Sequence, residues 1–79
     1  MNRTIRIRIK KEIDSATENK IIQLKGILIS RGFTDVIYFD DEDDSYHINS
    51  FSAEKRNEAI EQISSYITER SLQGSITIL

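Results

Sequence analysis

The chain contains no cysteine, no proline and no tryptophan, and only one histidine. Without cysteine there is no disulfide framework, no thiolate metal site and no thiol nucleophile, so redox chemistry is excluded and a reducing compartment, the cytoplasm, is expected. Long apolar runs are missing too, since no uncharged stretch reaches ten residues. The first residues alternate Arg with Ile where a signal peptide needs a continuous apolar segment, so neither a leader nor a membrane span is expected. Neither sign of charge dominates: 11 Lys and Arg stand against 13 Asp and Glu, a formal net charge of −2. A general nucleic-acid binder carries a clear basic excess, and this chain does not.

What is present fits one small domain over residues 1–79. Ile, Leu, Val and Phe make up 23 of the 79 residues, above the roughly 20% below which chains stay disordered. A core of this size is too thin to enclose a flavin, a haem or a dinucleotide, and no cofactor is expected. Ile outnumbers Leu and Val together three to one, a bias associated with AT-rich genomes.

Residues 3–11 alternate apolar and charged side chains with period two, which predicts a strand with one buried face. Asp14 and Ser15 can both cap the helix that follows, and Ser15-Ala16-Thr17-Glu18 matches a capping box. That helix runs to about Arg31, and Gly32-Phe33 is a stop signal. Residues 35–40 and 44–51 read as a hairpin joined by an acidic turn, Asp41-Glu42-Asp43-Asp44. Ser52 is the candidate cap of a second helix, with Ala59, Ile60, Ile63, Tyr66 and Ile67 on its buried stripe, and residues 75–79 form a last strand. The order strand, helix, strand, strand, helix, strand is that of the α+β, two-layer ferredoxin-like sandwich, with an antiparallel sheet ordered 4-1-3-2 and both helices on one face.

A four-residue turn sets Phe39 opposite Tyr46 and Ile37 opposite Ile48 on the helix side. The other face then carries Thr4, Arg6, Arg8, Lys10, Val36, Tyr38, His47, Asn49 and Thr77. Several families sharing this layout are excluded by their own chemistry. Copper chaperones need a cysteine pair in the first loop, which here reads Glu12-Ile13-Asp14-Ser15. Acylphosphatases need a glycine-rich cradle after the first strand, and no glycine precedes Gly26. RNA-recognition motifs need aromatic residues on both central strands, where this chain offers arginines, His47 and Asn49. Amino-acid-sensing domains usually carry glycine in the first loop.

The fold decides no function by itself. Asp40-Asp41-Glu42-Asp43-Asp44 lacks the alternating ligands, central Gly and terminal Glu of an EF-hand, so no metal site is expected. It reads either as a solvated turn protecting an edge or as a patch for a basic partner. His47 has Ser45 and Ser50 as its nearest hydroxyls in sequence, without a companion base or an oxyanion hole, and catalysis is not expected. Five of the 11 cations fall in the first 11 residues, and Arg and Tyr are hot-spot residues. The expectation is therefore a non-enzymatic protein-binding domain, in the manner of an inhibitor or accessory factor of a phage or mobile element. Its binding residues would be Arg6, Arg8, Tyr38, His47 and Asn49 on the open face, Asp41, Glu42 and Asp43 on the hairpin, or both, with Ile22 and Ile29 as a second strip. Two alternatives remain open: single-stranded RNA or DNA on the basic first strand, and a small-ligand-sensing homodimer joined through the fourth strand's edge.

Overall fold

The computed structural model describes residues 3–79. Its elements are β1 (Thr4–Lys10), α1 (Ser15–Ser30), β2 (Tyr38–Asp41), β3 (Tyr46–Ser52), α2 (Arg56–Glu69) and β4 (Ile76–Ile78). Every strand pair is antiparallel and the sheet order is β2-β3-β1-β4. The molecule is a small α+β domain in which Ile5, Ile7 and Ile9 of β1 meet Ile21, Leu24 and Leu28 of α1 and Ala59, Ile63 and Tyr66 of α2 in one core. None of its helices is long and apolar enough to cross a membrane.

The helix ends follow local chemistry. The Asp14 carboxylate accepts the Thr17 amide at 2.7 Å, so Asp14 is the N-cap of α1 and Ser15 is already helical, which leaves the Ser15/Glu18 box unused. At the other end Gly32 takes a φ of +77°, and the Phe33 amide donates to the Leu28 carbonyl at 2.9 Å, the paired closure that a left-handed residue permits. Helix α2 differs from expectation at its start. Ser52 lies in β3, and Lys55 holds the N-cap position without a side-chain bond. Ser71 adopts the left-handed conformation after α2, with the Leu72 amide on the Ile67 carbonyl at 2.9 Å. The two helices are tied by the Tyr66 hydroxyl, which donates to the Lys20 carbonyl at 2.8 Å.

The main departure from the sequence reading is the register of β3. Asp43 accepts the amides of Ser45 at 2.7 Å and Tyr46 at 3.0 Å, and the Glu42 amide donates to the Tyr46 carbonyl at 3.0 Å. Asp43-Asp44-Ser45 therefore forms the turn, with an odd number of residues where the expected turn has an even one. Tyr38 pairs with Ser50, Phe39 with Asn49, Asp40 with Ile48 and Asp41 with His47. Relative to the expected pairing the strand has slipped by three residues, and an odd slip exchanges its two faces. Phe51, Asn49 and His47 point to the helices opposite Ile5, Ile7 and Ile9, while Ile48 and Tyr46 share the open face with Arg8 and Lys10.

Phe51 identifies the side chain on which this arrangement depends, being 2% exposed in the core. Truncating it to Ala removes a buried aromatic ring, which typically costs about 3–5 kcal/mol, a large share of the roughly 5–15 kcal/mol available to a domain. Phe39, 57% exposed, should lose under about 1 kcal/mol on the same change. Urea denaturation of Phe51→Ala and Phe39→Ala checks both figures; equal losses would contradict the register.

Candidate functional site

The residues expected on one binding face divide between two. Arg6, Arg8 and Tyr38 lie on the open side of the sheet, whereas His47 and Asn49 lie on the helix side, with Asp41 paired to His47 there. The expected open-face cluster of Arg6, Arg8, Tyr38, His47 and Asn49 is thus corrected, and the cause is the odd-numbered turn at Asp43.

On the open face the two arginines have different fates. Arg8 reaches diagonally across β3 to Glu42, donating from Nε at 3.0 Å and from Nη2 at 2.7 Å to its two carboxylate oxygens. Its guanidinium carbon also lies 5.3 Å from the Tyr46 ring centroid. This forked contact raises the arginine pKa still further above its ordinary value, the hydrogen bond to Glu42 being the main cause. Ile48, paired with Arg8 in the register, is only 7% exposed although it faces away from the core. The Arg6 guanidinium, in contrast, has no hydrogen bond or ion pair among the described residues. Arg6 and Tyr38 both pair with Ser50, so one short floor residue separates an unengaged cation from a tyrosine that is 65% exposed. The Leu79 amide donates to the Arg6 carbonyl at 2.9 Å, and strand alternation sets its exposed side chain on the same side. Tyr38, Ser50, Arg6 and Leu79 form a row across the sheet, with neighbouring strands about 4.8 Å apart.

The acidic run is less available than its sequence suggests. Glu42 holds Arg8, Asp43 holds two turn amides, and Asp41 Oδ1 receives Lys11 Nζ at 3.3 Å and His47 Nδ1 at 3.1 Å. An ionised carboxylate can only accept, so Nδ1 of His47 carries the proton in this contact.

On the helix side a groove of about 300 Å³ runs between α1 and the β2/β3 edge. Lys11, Ile13, Glu18, Ile22, Lys25, Phe39, His47 and Asn49 line it. The Phe39 and His47 rings lie 4.5 Å apart between centroids, tilted by 45°, and the Lys25 ammonium is 5.9 Å from the Phe39 centroid. Burial lowers the Lys25 pKa, and no carboxylate offsets it. Asn49 is 1% exposed, and neither its amide nitrogen nor its amide oxygen has a hydrogen-bond partner. Such an orphan is uncommon in folded proteins. The lining contains lysines but no hydroxyl or thiol. A larger, open depression of about 560 Å³ lies at the opposite end of α1. Its one buried polar side chain, Thr34, already donates to the Val36 carbonyl at 3.0 Å. Sequence reasoning missed that Phe39, Lys25 and Glu18 line one groove with His47 and Asn49. The signal was the shared flank of Glu18, Ile22, Lys25 and Ile29 at helical spacing, which registers as an apolar strip only when the charges are ignored.

The acidic cluster generates a pH prediction. Lys11 first, and His47 next, hold the Asp41 carboxyl below the usual carboxylate range. A depressed folded-state pKa means that this contribution to stability is present above the unfolded value of about 3.9 and is lost as pH falls through the folded value. Carbon-13 NMR titration should place the Asp41 midpoint below that of a free Asp, and Lys11→Ala should move it upward. An unchanged midpoint in Lys11→Ala would contradict the contact.

Comparison with protein-family models, with curated proteins and with solved structures finds no significant match.

Proposed function

We propose that this chain is a ferredoxin-like, non-enzymatic binding domain whose partner is another protein, engaged through the Tyr38, Ser50, Arg6 and Leu79 row of the open sheet face. Element order and strand order support the fold assignment. The observation that carries the functional reading is the contrast between the arginines: Arg8 is held by Glu42, while Arg6, beside exposed Tyr38 and Leu79, has no hydrogen bond or ion pair among the described residues. A cation flanked by an amphipathic ring and an apolar side chain matches a partner surface presenting a carboxylate next to an apolar residue. The hairpin is the weaker candidate, because Asp41, Glu42 and Asp43 are occupied within the chain. Single-stranded nucleic acid is disfavoured on the same geometry. With Arg8 neutralised, Arg6 and Lys10 are the cations left on the face, too few for the phosphate contacts that dominate such affinity. An inhibitor or accessory role fits a small domain that offers one such surface.

The test uses the tagged full chain as bait, identifies the captured protein, and remeasures affinity with purified partner. Arg6→Glu and Tyr38→Ala should each weaken it by about 30-fold or more, the loss expected of hot-spot residues, while Asp44→Ser leaves it unchanged. Retention of affinity in the Arg6→Glu/Tyr38→Ala double variant would overturn the reading. Micromolar binding of an oligonucleotide that Tyr38→Ala abolishes would favour nucleic acid instead.

A further inference from the structure

Two polar groups of the helix-side groove, Asn49 and Lys25, have no hydrogen-bond or ion-pair partner among the described residues. Asn49 sits between Ile7 and Phe39 in the sheet register, buried, with both amide atoms unpartnered. An unmade amide contact destabilises the fold, and an apolar residue of similar shape would avoid that cost. Lys25 borders the same groove without a hydrogen bond or ion pair among the described residues, its stem covered and its ammonium near the Phe39 ring. Ile22 is 55% exposed and Phe39 57% exposed on the groove's walls.

We propose that this groove is a binding site for a small carboxylate with an apolar body, of roughly amino-acid size. One carboxylate oxygen would meet the Lys25 ammonium and the other would accept from the Asn49 amide at the groove floor, while the apolar body would lie between Phe39 and Ile22. Each assignment follows from an unmet requirement: a half-buried cation without a counter-ion, two apolar surfaces left in water, and a buried donor and acceptor without partners. The lowered pKa of Lys25 fits the same picture, since a carboxylate beside it would stabilise its charged form. The site is on the opposite side of the sheet from the Arg6 row, so it stands whether or not that row binds a protein.

The experiment is a nitrogen-15 NMR titration of the full chain with 3-phenylpropanoate, phenylalanine, phenethylamine and inorganic phosphate as probes. Saturable shifts of the Asn49 side-chain amide and of the Phe39 and Lys25 backbone amides are expected with 3-phenylpropanoate, in the millimolar range or tighter for a ligand of this size. Phenethylamine, lacking the carboxylate, should give no saturable shift. Phenylalanine should bind as the propanoate does, because the carboxylate and ring are shared. Lys25→Met, which keeps the stem and removes the charge, should weaken binding about tenfold or more. Asn49→Leu should weaken it similarly while raising Tm, a combination that a purely structural role for Asn49 does not produce. Arg6→Glu should leave it unchanged. The proposal is overturned if neither carboxylate gives saturable shifts at 10 mM, a concentration set by the millimolar expectation, or if the shifts persist in Lys25→Met. An equal response to inorganic phosphate would also overturn it, since phosphate requires neither Phe39 nor Ile22. Should Asn49→Leu fail to fold, Lys25→Met on the helix flank decides alone.

Discussion

Two backbone amides held by the Asp43 carboxylate set the arrangement of everything on the β2/β3 side of the sheet. By accepting from Ser45 and Tyr46, Asp43 closes a turn of three residues and fixes which half of β3 faces the helices. From that parity follow the burial of Phe51, the placement of His47 and Asn49 beneath α1, and the diagonal reach of Arg8 to Glu42. A hairpin turn with an even number of residues would have reversed all three.

The reversal is tolerated because its costs are unequal. Placing Phe51 inside gains the burial of a large ring, about 1.5–3 kcal/mol. Ile48 gives up the core but is only 7% exposed on the other face, so most of its burial is kept. The one uncompensated term is the Asn49 amide. Proteins tolerate such a term most readily where a site needs a polar group at depth, and the groove above Asn49 supplies the place where it would be used.

Much of the architecture was legible in the chain. Alternation over residues 3–11 identified β1 and its buried isoleucines, and Gly32-Phe33 marked the end of α1. The face assignment of β3 was not legible from its apolar pattern, because the two parities compete on nearly equal terms: Tyr46 and Ile48 on one, Phe51 and Ala53 on the other. Phe51 was the discriminating residue, and only when the strand is followed to its end does it count. The acidic run was misleading for a related reason. Composition shows five adjacent acids, but tertiary contacts assign Asp41, Glu42 and Asp43 to three separate tasks. Arg6 and Arg8 look equivalent in sequence and differ only because Glu42 lies within reach of one.

The central claim is the face on which β3 presents Asn49, and proton NMR tests it directly. Nuclear Overhauser contacts from the Asn49 side-chain amide protons to the methyl groups of Ile7 and Leu24 are expected, together with contacts from the Ile48 methyls to Arg8 and Tyr46. Contacts from Ile48 to Leu24 and Leu28, with Asn49 amide protons exchanging freely with water, would show the opposite register and contradict both proposed surfaces.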